Sequence, residues 1–193
     1  MVRHRSFRSP WPTAWRWTTG LLLATVAVTS CTQSGQSGTL HALIETDSVV
    51  TVGFTDFSGI SDGAAGLFVC ATGPGVFLES VAPLDIEGSA ELLGAVELSG
   101  TAGEDGFIGA SYGFPPENVS HDALGTKAVA DCSGTSVTQV VVGVRRTATT
   151  GGALRGVSIT YRSGGQRRAL EVPNFHITLC GDQGQHCEPQ TSP

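Results

Sequence analysis

Lysine is almost missing from this chain, and basic residues of either kind are missing from its middle. Lys127 is the only lysine, and no Lys or Arg stands between Cys31 and Asp122, a stretch with 13 acidic residues. Nucleic-acid binding is not expected, because phosphate contacts need a basic face. From Cys31 to the end, 7 basic residues face 17 acidic ones, a net charge of −10. A domain of that sign gains nothing from lying flat on an anionic bilayer. Amphipathic helices are also missing: no segment after Cys31 repeats its apolar residues with a helical period over a useful length. Common catalytic signatures are absent too. There is no Gly-x-Ser-x-Gly, no His-Glu-x-x-His and no Gly-rich phosphate loop of the right form. His121 and Asp122 are adjacent, but no nucleophile is placed beside them by any pattern. The sequence reads as a non-enzyme with no implied cofactor.

What is present begins with a targeting signal. Arg3, Arg5, Arg8 and Arg16 precede an uncharged, mostly apolar run, Thr18–Val28. A basic segment followed by a short apolar one is the layout of an export signal. The run is too short to cross a bilayer as a helix, which takes about 20 apolar residues. It ends at Val28-Thr29-Ser30-Cys31. An aliphatic residue, two small ones and a Cys resembles the lipobox of bacterial lipoproteins. The resemblance implies diacylglyceryl (palmitate-type) acylation of the Cys31 thiol and cleavage before it. Two acyl chains hold a soluble domain at a membrane where one would not. The following TQSGQSGT is polar and Gly/Ser-rich, as a flexible tether would be. The expected organisation is a signal peptide over 1–30, a lipid-anchored tether over 31–47, a folded domain over 48–188 and a tail over 189–193. The expected location is the outer side of the cell membrane. The chain also resembles, in style, small uncharacterised lipid-anchored envelope proteins of high-GC Gram-positive bacteria. That likeness rests on the Arg/Trp-rich start, the lipobox and the hairpin RGVSITYRSGGQRRALEVP, and it supplies no activity.

Removing Cys31 from the thiol count leaves Cys70, Cys132, Cys180 and Cys187. An exported domain sits where disulfides persist, and four Cys allow three pairings. The favoured set is Cys70–Cys132 and Cys180–Cys187, the second closing the short loop GDQGQH.

Short runs of β-forming residues recur between turn signals. They are 48–55, 65–70, 76–81, 91–98, 107–112, 136–146, 154–162, 168–172 and 175–180. Eight or nine strands in this span predict an all-β protein, an antiparallel β-sandwich of immunoglobulin-like type. ELLGAVEL (91–98) favours strand over a short helix because of its internal Gly and Val. In 136–146, Val140, Val142 and Val144 alternate with Val141, Gly143 and Arg145, which places the first set inward. FPPENVSHDALG (114–125) carries Pro-Pro and no period, and reads as a long loop at one end of the sandwich.

Three clusters could bind something. Arg145, Arg146, Arg155, Arg162, Arg167 and Arg168 fall on what reads as three neighbouring strands. Guanidinium groups gathered on one face suit an anionic envelope polymer or an acidic protein partner; alternatively they offset the acidic half of the chain. His176, Cys180, His186 and Cys187 could supply imidazole and thiolate to zinc or copper, provided the Cys are reduced. The turn Gly103-Glu104-Asp105-Gly106, with Asp56 and Asp62, offers oxygens for calcium but lacks an alternating Asp/Asn motif.

Overall fold

The runs of β-forming residues become strands. The computed structural model describes residues 37–44, 48–55, 62–101 and 106–182, all within the unit Ser34–Pro193. The signal segment, Cys31, Asp56, Glu104, Asp105, His186 and Cys187 lie outside the described residues. Within them stand β1 (Thr39–Ala42), β2 (Val50–Phe54), β3 (Asp62–Thr72), β4 (Phe77–Gly88) and β5 (Ala90–Thr101). The second half holds β6 (Ala110–Tyr112), β7 (Asp122–Ala123), β8 (Ser136–Arg146), β9 (Gly151–Ser163) and β10 (Gln166–Cys180). No helix occurs among the described residues.

The strands form two sheets packed as an immunoglobulin-like sandwich. One runs β1-β3-β8-β5-β7, with β6 also on β3; the other runs β2-β10-β9-β4. Between them lies a single apolar core built from alternate residues of both sheets, including Leu67, Val140, Val142, Leu154, Ile159, Phe175 and Ile177. Strand pairing is antiparallel except between β2 and β10, which run parallel. ELLGAVEL is strand, inside β5.

Four expectations need correction. The folded domain begins before residue 48. β1 lies in the segment read as tether and pairs with β3 from Thr39↔Thr72 to Ala42↔Val69. Leu40, only 2% exposed, is its anchor in the core, and one buried Leu in a four-residue strand is too brief a period to read. The segments 168–172 and 175–180 are one strand, not two. A bulge between Val172 and His176 absorbs Pro173, and Asn174 Nδ2 donates to the Ser48 carbonyl at 2.7 Å, tying the bulge to the lead into β2. Proline is tolerated at such an irregularity because the ladder there lacks a donor anyway.

The third correction concerns β8. Its inward Val140, Val142 and Val144 behave as expected, yet Val141 is also fully buried. Both faces of β8 are covered. A second apolar cluster on the outer side of the first sheet joins Ala64, Leu98 and Val141 with Phe107, Ile108, Phe114 and Val119. The fourth correction follows from it: residues 114–125, read as a loop at one end of the sandwich, do not hang there but continue from 106–113. They form a strap across the outer face of the first sheet, from β6 at the β3 edge to β7 at the β5 edge.

The disulfide Cys70–Cys132 is present, closing 62 residues with its Cα atoms 4.9 Å apart. It joins the end of β3 to the loop before β8, so it stays beside the first sheet rather than bridging the two. Cys180 is disulfide-bonded as well; its expected partner Cys187 is outside the described residues.

Candidate binding cleft

The strap is held by one buried amide. Gln139, on β8, is fully buried. Its Nε2 donates to the Ile108 carbonyl at 2.7 Å, and its Oε1 accepts from the Ile108 N–H at 3.0 Å. A side-chain amide thus takes the place of a strand partner and satisfies a backbone segment in both directions. Beside it the Gly66 N–H donates to the Gly109 carbonyl at 3.1 Å. Two glycines make room for the strap. A Cβ on Gly66 would collide with Gln139 and the Ile108 carbonyl, and one on Gly143 would enter the Phe114 ring. Phe107 adds an edge contact to Phe68, with ring centroids 5.4 Å apart.

Where the strap turns back toward β7 it encloses a cleft of about 820 Å³ with Asp62 on one wall and Tyr112, Pro115, Glu117, Asn118 and His121 on the strap. Tyr112 is 48% exposed and rests edge-on against Phe54 at 5.4 Å. Asp62 is bound by Arg145 through two hydrogen bonds, Nε at 2.8 Å and Nη2 at 3.0 Å. That pairing fixes the wall and raises the Arg145 pKa further, first through the hydrogen bond and then through charge. His121 Nδ1 lies 3.2 Å from the Val119 carbonyl. The cleft offers an aromatic ring, proline surface, carboxylates, an amide and an imidazole. Lys and Arg are absent from its lining, so it suits a neutral or cationic ligand with an apolar face and hydrogen-bonding groups.

The six arginines do not gather on one face. β8 belongs to one sheet and β9 and β10 to the other, so Arg145 and Arg146 are separated from the remaining four. Five of the six meet carboxylates: Arg145 with Asp62, Arg146 with Asp182, Arg155 with Glu87, and Arg162 and Arg167 both with Glu79. Arg168 bonds Ser37 and Gln166. Three of these pairs, Asp62–Arg145, Glu87–Arg155 and Glu79–Arg162, match charge from the acidic half of the sequence across paired strands.

Of the His/Cys cluster, His176 and Cys180 are each engaged by protein groups, and His186 and Cys187 lie outside the described residues. His176 Nε2 lies 2.9 Å from the Pro173 carbonyl, its Nδ1 lies 3.4 Å from Arg155, and the Cys180 thiol is taken up in a disulfide. Among the described residues no group of three His, Cys, Asp or Glu could hold a metal ion.

A buried carboxylate was missed in the sequence. Glu97, on β5 opposite Val140 and Asp122, has no solvent exposure. Its Oε1 accepts from Ser99 at 3.4 Å, while its Oε2 has no hydrogen-bond partner. Burial raises its pKa above the usual 4.5; the Gly125 amide, the Ser99 hydroxyl and Lys127 oppose the rise, and Asp122 adds to it. The folded state therefore holds a proton that the unfolded state gives up, so stability falls as pH rises from about 4.5 through the raised value. Asp131 acts in the opposite sense, but only below its ordinary value of 3.8, because Ser133 lowers it. Urea midpoints should thus climb as pH is lowered toward about 4.5, and Glu97→Gln should flatten that climb. An equal climb in the variant would assign the effect elsewhere.

No protein-family model matches the chain, and no curated protein is significantly similar to it. The fold and the cleft are the basis for a functional reading.

Proposed function

We propose that the chain is an exported protein, acylated on Cys31 and held at the outer side of the cell membrane, whose sandwich is a binding module of the cell envelope. The observation that carries the reading is the strap. A β-sandwich needs no irregular segment pinned across an already buried sheet. Here two glycines and a buried Gln are committed to holding one there, and the result is a preformed cleft with an exposed aromatic ring. The lipobox at Val28–Cys31 supplies the location, and the absence of catalytic signatures favours binding over turnover. The cleft, rather than the six arginines taken together, is the ligand-binding surface, since the arginines are divided between the two sheets and share no one face. Its ligand is a neutral or cationic envelope component, held by stacking on Tyr112, by donating hydrogen bonds to the Glu117 carboxylate and by hydrogen bonds with the Asn118 amide.

Two measurements test this. Intact-mass analysis of membrane-extracted protein should show diacylglyceryl on Cys31; a free thiol there removes the anchor. Capture of envelope material on purified protein should fall by about ten-fold or more with Tyr112→Ala, the size expected for loss of an aromatic anchor. Equal recovery by the variant would place binding outside the cleft.

A further inference from the structure

The β9–β10 hairpin ends in a concentration of positive charge where the chain enters the fold. Arg162 and Arg167 stand directly opposite each other on paired strands, with side chains 56% and 75% exposed. Like charges in directly opposite positions oppose strand pairing. One carboxylate serves both: Glu79 lies 3.6 Å from Arg162 and 2.6 Å from Arg167. Arg162 also lies over the Phe77 ring at 5.8 Å. Arg168 adds a third guanidinium, whose described partners, Ser37 and Gln166, are uncharged. Arg162 and Arg167 thus share one anion, and Arg168, the next residue along the strand, adds its charge from the opposite face of the hairpin end. Asp131 and the Lys127–Asp122 pair belong to the first sheet's side of the molecule, where Asp131 bridges to Ala71 and Asp122 pairs with β5.

The Arg168–Ser37 hydrogen bond, 3.0 Å long, places this corner at the point of chain entry. Ser37 follows Cys31 by six residues, which span at most about 20 Å when extended. We propose that the Arg162–Arg167–Arg168 corner docks on anionic phospholipid headgroups and sets the orientation of the anchored domain. The proposal rests on Cys31 being the anchor. Tethered within that reach, the corner can touch the bilayer surface, while the net negative charge of the remainder is repelled from it. The cleft's carboxylates, Asp62 among them, then face away from the membrane: Asp62 pairs with Arg145 near the end of β8, and β8 begins beside the disulfide at the end of β3 where β1 enters. Each uncompensated Arg near an anionic surface favours contact by about five-fold, so the two unmatched charges favour corner-down orientation by about ten-fold or more after partial screening.

The test is arginine footprinting with phenylglyoxal on the membrane-extracted protein in vesicles. One set is phosphatidylcholine alone and the other an equal mixture with phosphatidylglycerol. The expected result is modification of Arg162, Arg167 and Arg168 slowed several-fold in the anionic vesicles only, restored by high salt, with Arg145 unchanged in both. Equal rates in the two vesicle types overturn the proposal. If intact mass shows Cys31 unacylated, the anchor reading fails by itself. The same protein coupled at Cys31 to a maleimide lipid then gives the footprint, and equal rates there overturn the corner separately. Arg162→Gln with Arg167→Gln should abolish the difference at Arg168; persistence of the protection would assign the contact to another surface.

Discussion

Replacing both Cys70 and Cys132 with Ala is expected to lower unfolding free energy by about 4 kcal/mol, the chain-entropy value for a loop of this length. The bridge closes 62 residues, which include β4, β5, the strap and β7. In a domain whose total stability is of order 5–15 kcal/mol, the loss is a large fraction and corresponds to a fall in melting temperature of about 10 °C or more. The structure says where the damage begins. The loop just before and at Cys132 closes one end of the sandwich: the Val129 N–H donates to the Val76 carbonyl, Ala71 to Ala130, and Cys132 to Ala71. Val129, 7% exposed, is the apolar plug beneath them. Without the bridge this end opens first, so limited proteolysis should cut near residues 129–134 well before the β9–β10 hairpin. Ala is preferred to Ser at position 70 because Cys70 is buried and a hydroxyl there would need a partner. Denaturant midpoints within about 1 kcal/mol of the parent protein would show that the reduced ensemble is already restrained by other contacts.

The all-β sandwich was legible because its signals are local. Val157, Ile159 and Tyr161 alternate with Ser158, Thr160 and Arg162, and β9 has that face pattern. The Cys70–Cys132 pair was legible only as the favoured one of three pairings. Sheet membership was not. Arg145 and Arg162 look like neighbours in a sequence of hairpins, but the connection from β8 to β9 crosses between sheets, and nothing in Thr147–Thr150 marks that crossing. The charge asymmetry was a better guide than the Arg cluster. An acid-only half and an Arg-rich half imply pairing between them, and Asp62↔Arg145 is a directly opposite pair on β3 and β8. Exposed pairs of this kind contribute about 0–1 kcal/mol each, so they serve register more than stability. The cleft was least legible. Its one advance signal was the run Val140-Val141-Val142, which lacks the polar alternate expected of a strand with one face in water. That run required a cover, and FIGASYGFPP, read as a strand followed by an end loop, was the apolar segment that supplies it. Glu97 left no trace, since a Glu between Val96 and Leu98 on a strand reads as solvent-facing.

Gly66→Ala carries the second large effect, and it falls on the cleft. The added methyl meets the Gln139 amide and the Ile108 carbonyl. The amide is a side chain and could turn, but the carbonyl is backbone, so the strap itself has to lift. Lifting breaks both Gln139–Ile108 hydrogen bonds and the Gly66–Gly109 bond, at about 1 kcal/mol each. It also exposes Val141 and part of Leu98, worth about 1–2 kcal/mol more. Detachment forfeits about 4 kcal/mol, which is the ceiling on the cost of the substitution; a methyl clash with backbone that approaches this value leaves the strap detached for a substantial fraction of the time. Hydrogen exchange should show Ile108 losing protection while Ile159 and Ile177, in the other sheet, keep theirs. Gly109→Ala is the matched control: a Cβ there meets nothing within 4 Å, so its cost should stay within about 0.5 kcal/mol. Because Tyr112, Glu117 and Asn118 are carried on the strap, envelope capture should fall with Gly66→Ala and survive Gly109→Ala. Loss of the strap with capture intact would separate the cleft from the binding activity. Loss of both together ties the function to one buried glutamine and the glycine that lets the chain lie against it.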